Sequence, residues 1–220
     1  MPATAVSCLT LNRLSLYLRC LRQLQKRGVY RISSKELARQ FDLSAPQIRK
    51  DLAQFGEFGI RGVGYDVDQL LGRLRRLLGL DRPHNLVVVG LGHLGSAVAR
   101  HFASNHRAFR VVGLFDNDPA KIGQELEGLA IRPIGELAAL VAGTAAEIGV
   151  LAVPADVAQE VYDRLVEAGI ESVLNFAPVQ LRQSPRVRCR TVDLRIYLEE
   201  LVYFLESDGV ASRTLGKPRL

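Results

Sequence analysis

Apolar residues recur every three or four positions through the first eighty residues, and then give way to short unbroken apolar runs alternating with helical spacing. Residues 10–27, TLNRLSLYLRCLRQLQKR, set Leu14, Tyr17, Leu18, Leu21 and Leu24 on one face, which predicts an amphipathic helix stopped at Gly28. In SSKELARQF, Ser33 and Glu36 have capping-box spacing, with Leu37 and Phe41 facing inward. DLS breaks the chain, and SAPQIRKDLAQF starts a third helix. There Ser44 and Gln47 repeat the capping-box spacing, Pro46 sits in the first turn, and Ile48, Leu52 and Phe55 form the apolar stripe. Two short helices joined by a tight turn predict a helix-turn-helix. GEFGIRGVGYDV then offers two β-prone pieces around glycines, a winged-helix hairpin with Arg61 at its tip. A fourth helix is predicted in DVDQLLGRLRRLLGL, with Leu70, Leu71, Leu74, Leu77 and Leu78 on its apolar face. LDRP ends the pattern and marks a domain boundary after residue 82.

Beyond that boundary the period changes. NLVVVG is the unbroken apolar run of a strand buried on both faces. Gly90, Gly92 and Gly95 complete G-x-G-x-x-G, and HLGSAVARHFA continues as a helix. The second strand, FRVVGLFD, ends in Asp116, 21 residues past Gly95. ELAALV reads as helix, EIGVLAVP as strand, ADVAQEVYDRLVEAG as helix and IESVLNFAP as strand. This alternation predicts a doubly wound parallel sheet of the Rossmann type, with ligands at the strand C-terminal ends. RIYLEELVYFLES adds a last helix. The fold class is α/β, with domains at 1–82 and 83–194 and a terminal helix and tail at 195–220.

Charge separates the same two halves. Residues 1–83 hold 15 Lys and Arg against 7 Asp and Glu, a net of +8; residues 84–220 hold 14 against 16, a net of −2. A basic first third on a nearly neutral remainder points to a polyanion as its partner. Arg49 and Gln47 suit paired hydrogen bonds to purine edges, and Lys50 suits phosphates and guanine. The first turn of such a helix reaches deepest into the major groove. An arginine on the wing suits a narrow minor groove. Ser44, Gln47, Arg49, Lys50, Arg61 and Gly62 are therefore the candidate DNA contacts.

In the second half, Gly90 permits the tight turn, Gly92 lets a pyrophosphate approach the backbone, and Gly95 lets helix pack on strand. The turn residues Leu91, His93 and Leu94 and the helix N-terminus complete the phosphate site. Asp116 suits the adenosine ribose hydroxyls and repels a 2′-phosphate, and no Arg follows it closely, so NAD(H) is favoured over NADP(H). The same Asp also suits the turn DNDP. Pro154 and Asn175 end two later strands, near the nicotinamide half of the cofactor. Of His84, His93, His101 and His106, none ends a later strand, where a catalytic base is expected. The chain reads as a dinucleotide binder without catalytic residues or a substrate domain. Cys8, Cys20 and Cys189 show no metal or disulfide spacing, and no apolar run approaches the roughly 18 residues of a membrane span. No metal is expected, and a reducing cytoplasm is.

SAPQIRKDLAQFGEFGIRGVGYDV, VVVGLGHLGSAV, FDNDPAKIG and VLNFAPVQL, in that order, resemble the Rex family of redox-sensing transcriptional repressors along nearly the whole chain. The resemblance implies a homodimer of winged-helix and NAD(H)-binding domains. It represses on operator DNA while NADH is low, leaves DNA when NADH binds, and exchanges its last helix between subunits. By position, Arg49 and Lys50 fall on the recognition helix and Arg61 on the wing. In the family the segment preceding the swapped helix approaches the partner's cofactor, and by position that segment is TVDLRIYL here; some relatives place an aromatic residue after the Asp, where this chain has Leu194, which the resemblance implies as plain apolar cover. The family's domain arrangement further implies an ion-pair latch between Arg19 and Asp193. Two other readings stay open: a transcription factor whose Rossmann domain binds CoA or another nucleotide, and a small NAD-dependent dehydrogenase.

Overall fold

The computed structural model describes residues 6–60, 63–105 and 108–214. The chain divides into two units, Met1–Arg82 and Pro83–Leu220.

In the first unit, α1 (Cys8–Lys26) is capped by Ser7, whose Oγ accepts from the Thr10 N–H at 3.1 Å. All five residues of its predicted apolar face are buried. The helix α2 (Ser34–Phe41) carries the complete capping box, with Ser33 and Glu36 satisfying one another's backbone N–H groups. In α3 (Ala45–Ala53) only half of the expected box forms. Ser44 Oγ accepts from the Gln47 N–H, but the Gln47 side chain turns to Asp51 instead. Asp66 caps α4 (Val67–Leu77). On α4, Leu70, Leu71 and Leu74 are buried, whereas Leu77 is exposed. The four helices close one core around Leu14, Leu21, Leu37, Ile48, Leu70 and Leu74. The wing is smaller than its sequence suggests. Its described part is a single bridge, Ile60 to Gly64, and the following strand β2 (Tyr65–Asp66) pairs with β1 (Arg31–Ile32) ahead of α2. Arg61 and Gly62 lie outside the described residues, as does His106.

The second unit is a seven-stranded sheet. Its strands are β3 (His84–Val89), β4 (Phe109–Asp116), β5 (Glu125–Leu126), β6 (Leu129–Pro133), β7 (Ile148–Leu151), β8 (Ser172–Asn175) and β9 (Arg188–Thr191). They lie in the order β5-β6-β4-β3-β7-β8-β9, parallel apart from β5. Without β5 this is the Rossmann order, in which the direction of progression reverses between β3 and β7. Helices α5 (His93–Asn105), α6 (Leu137–Thr144) and α7 (Ala158–Glu167) cover the faces. Because both faces are covered, β3 is apolar from Leu86 to Val89: Val87 and Val89 pack with Leu165 and Tyr162, and Leu86 and Val88 pack with Ala99. The strand begins at His84, one residue before the apolar run NLVVVG that predicts it. The sequence pattern missed β5, β6 and β9. The first two are joined by a two-residue turn at Glu127 and Gly128, both at positive φ. The last, RCRT, alternates exposed with half-buried residues and has no apolar run. The terminal helix α8 (Leu194–Thr214) leaves Leu194, Tyr197, Leu201, Phe204 and Leu205 between 51% and 72% exposed.

Candidate cofactor cleft and nucleic-acid interface

At the point where the sheet order reverses, the loops after β3, β4, β6 and β7 enclose a cleft of about 480 Å3. Gly90, Gly92, His93 and Leu94 line it from the first turn, Asp116, Asn117 and Lys121 from the second strand's end, and Val153 and Pro154 from the loop after β7. Gly90 has φ +90°, and a Cβ there would meet the Ala152 carbonyl; a Cβ on Gly95 would overlap the Gly90 carbonyl oxygen. Around Gly92 a Cβ would meet nothing within 4 Å. Two of the glycines thus allow the protein to pack on itself, and the third opens the backbone to a ligand. The first N–H groups of α5 have no intrahelical partner and suit a pyrophosphate.

Asp116 sits at the tip of β4. Its Oδ2 accepts from the Leu91 N–H at 2.8 Å and from Lys121 Nζ at 3.0 Å, and its Oδ1 accepts from the Asp118 N–H at 2.9 Å. Burial pushes this carboxyl up, but the Asp118 and Leu91 N–H groups and the Lys121 ammonium outweigh it and hold it below the usual carboxylate range. It is therefore ionised, lines the cleft and organises the DNDP turn. Lys121 was not among the expected residues, although a cation five positions after the acid is visible in DNDPAK. Leu91 belongs to the core at 4% exposure and contributes its N–H to Asp116. Asn175 is fully buried and does not line the cleft. Its amide donates to the Ala177 and Val179 carbonyls and to Thr191, and its Oδ1 accepts from the Ala177 N–H. It shapes the NFAP loop from inside. Leu194 stands exposed at the start of α8 and is not among the residues lining this chain's own cleft.

The other site is on α3. Arg49 and Lys50 are exposed, with Arg49 Nη1 donating to Ser34 Oγ at 3.0 Å. Gln47 donates from Nε2 to Asp51 Oδ1 at 2.7 Å. Asp51 is wholly buried, and sequence reading passed over it. The signal was its position inside the apolar stripe, three residues after Ile48 and four before Phe55. Arg13 grips it with two bonds, Nε to Oδ2 at 2.6 Å and Nη2 to Oδ1 at 2.8 Å, and the Tyr17 hydroxyl donates to Oδ2 at 2.8 Å. The Arg13 guanidinium, opposed by burial and aided by Tyr17 and Gln47, holds Asp51 below the usual carboxylate range. Burial, then the Asp51 bond, pushes the Tyr17 phenol well up. Arg19 is exposed on α1, and Asp193 Oδ1 accepts from the Arg195 N–H at 2.9 Å, capping α8. Among the described residues no group of three or more His, Cys, Asp or Glu could hold a metal ion.

A basic helix-turn-helix unit followed by a Rossmann unit with a nucleotide cleft defines a ligand-responsive DNA-binding protein. Residues 5–53 match the sequence family described as "Putative DNA-binding protein N-terminus", and residues 81–179 match the CoA binding domain family. The redox-sensing transcriptional repressor Rex of Carboxydothermus hydrogenoformans is 45% identical over 90% of this chain and 96% of its own length. Rex 1 of Thermotoga maritima is 47% identical over 87% and 92%. The chain belongs to the Rex family of redox-sensing transcriptional repressors. Among solved structures, the Rex-family repressor RSP in complex with β-NAD+ and operator DNA is similar at TM-score 0.89. It is 35% identical, covering 98% of this chain and all of that one. RSP in complex with β-NADH is similar at TM-score 0.85, at 34% identity, covering 96% and 99%.

Proposed function

We propose that this chain represses transcription by binding operator DNA while NADH is scarce, and that NADH in the β3–β7 cleft releases it. The observation that carries the reading is the ionised Asp116 at the tip of β4, facing the open Gly92 turn, on the same chain as the exposed basic face of α3. Asp116 would accept the ribose hydroxyls, the Gly92 turn would take the pyrophosphate, and Pro154 would flank the nicotinamide end. Arg49 and Lys50, with Ser44 at the helix start and Arg61 and Gly62 on the wing, would contact DNA. The working form is a homodimer with α8 exchanged, which puts the apolar face of α8 against a second copy and Leu194 near the partner's cofactor. We read the chain as a non-enzymatic protein of the cytoplasm; its relatives are named repressors, and no helix among the described residues is long and apolar enough to cross a membrane. We divide it at 82 and 194, into the DNA-binding domain, the NAD(H)-binding domain, and the terminal helix with its tail.

The test is an anisotropy titration of the full chain on operator DNA selected from a random pool. Affinity should fall at least tenfold when NADH replaces NAD+ at saturation. Equal affinities would end the reading. A second reading, CoA as the effector, is favoured by the match of residues 81–179 and by Lys121 beside Asp116, a cation suited to a phosphorylated ribose. Release by CoA but not by NADH selects it.

A further inference from the structure

Asp51 gathers four side-chain hydrogen bonds onto one wholly buried carboxylate. Two come from Arg13 and one from Tyr17, both on α1, and one comes from Gln47, on the first turn of α3. Arg13 Nη2 is further tied to Thr10 Oγ1 at 3.2 Å, and Thr10 to Ser7 Oγ at 3.0 Å. The network therefore runs from the cap of α1 to the recognition helix. Burying a carboxylate is costly unless its oxygens are fully engaged. An apolar residue in this stripe would fill the gap between α1 and α3 more cheaply for stability alone. What the carboxylate adds is direction. It takes the amide nitrogen of Gln47, a half-buried side chain at the depth from which recognition helices meet base edges. A free glutamine rotates about three bonds and exchanges its donor and acceptor ends. In Gln47 one Nε2 hydrogen is committed to Asp51, which fixes the two ends of the amide; Oε1 stays available to accept from a base, and the second Nε2 hydrogen to donate.

We propose that Asp51 is a positioning residue for operator reading: it locks Gln47 so that Oε1 accepts from one exocyclic amino group, adenine N6 or cytosine N4, in the major groove. Arg13, on a different helix, holds that lock closed. The proposal rests on the operator-binding reading above and assigns one base pair of each half-site to Gln47.

The experiment measures the affinity of the full chain, without NADH, for the selected operator and for each single-base-pair variant of one half-site. Wild type should discriminate roughly tenfold at the Gln47 position, the selectivity of one good base contact. Asp51→Asn and Gln47→Met should each flatten discrimination at that same base pair to about threefold or less, and the double variant should flatten it no further. Tyr17→Phe removes a bond to the same carboxylate without touching Gln47. It should lower thermal stability and leave the discrimination as in wild type. Where Asp51→Asn does not fold, Arg13→Lys, which keeps the charge but loses the two-pronged grip, should flatten the same position. Wild-type discrimination in both Asp51→Asn and Gln47→Met overturns the proposal. So does a Tyr17→Phe profile as flat as that of Asp51→Asn, since the carboxylate would then act on packing alone. A wild-type chain that selects no DNA sequence overturns the operator reading, and this proposal with it.

Discussion

Three glycines in one fingerprint do different work. Gly95→Ala drives a Cβ into the Gly90 carbonyl, so it should destabilise the second unit by about 1–3 kcal/mol, the cost of overpacking a closed site. Gly92→Ala meets only open space in the protein. It should melt like wild type yet lose most of its NADH affinity, because the added methyl would stand where a pyrophosphate bound in the proposed way approaches. Thermal unfolding and NADH fluorescence titration separate the two. Asp51 yields a prediction of opposite kind. Its folded pKa lies below the unfolded value near 3.9, so the stability it contributes is complete above that value and is lost as pH falls through the folded one. Hydrogen exchange at the α1 and α3 amides should therefore accelerate as pH falls below about 4 beyond its intrinsic dependence. In Asp51→Asn that acid-linked acceleration should be absent, on a baseline already destabilised because Arg13 has lost its charged partner.

At the scale of elements, α3 presents two faces made of consecutive residues. Ile48 and Leu52 are buried, Asp51 is buried and bonded, and Arg49 and Lys50 are exposed. Arg49→Ala should weaken operator binding by about 1–3 kcal/mol and relax selectivity at one base pair, the signature of a base contact. Lys50→Ala should weaken all sequences alike and lower the slope of log affinity against log salt by about one, the signature of a phosphate contact. NADH affinity should stay at the wild-type value in both. Operator affinity like wild type in both variants would remove α3 from the interface.

The terminal helix matters only for the whole molecule. An amphipathic helix with both Leu201 and Phe204 more than half exposed needs a partner surface, and a second copy of the chain is the proposed one. Leu201→Glu should shift the protein toward monomer in sedimentation velocity and lower operator affinity, because a dimer must span two half-sites about one helical turn apart. A latch between Arg19 and Asp193, as the family resemblance implies, would add NADH control to that dimer. Since Asp193 also caps α8, the informative variant is Asp193→Asn, which keeps a capping oxygen and loses the charge. In a double-mutant cycle with Arg19→Ala, read as the NADH concentration that releases half the DNA, the two effects should be coupled. Strict additivity would dissolve the latch.

The sequence alone determined the two-part layout, because periodicity and charge change together at residue 82, and in the first part single apolar faces mark the helices, two of them with capping-box spacing. It also determined the fingerprint turn and Asp116, whose roles depend on backbone conformation and on an ordered strand-turn-helix succession. Only the tertiary structure decided what meets across the chain. Arg13 and Asp51 are 38 residues apart, and nothing local pairs them; Gln47 and Asp51 lie one turn apart on α3, but it is the packing of α1 that brings Arg13 and Tyr17 onto the carboxylate and keeps it buried and charged. Asn175 reads as a cofactor residue until the NFAP loop folds back and consumes its hydrogen bonds. The strands β6 and β9 lack a sequence signature for a related reason. Short strands toward the edges of a sheet bury little surface of their own, and it is pairing with β4 and β8, already in place, that makes them strands.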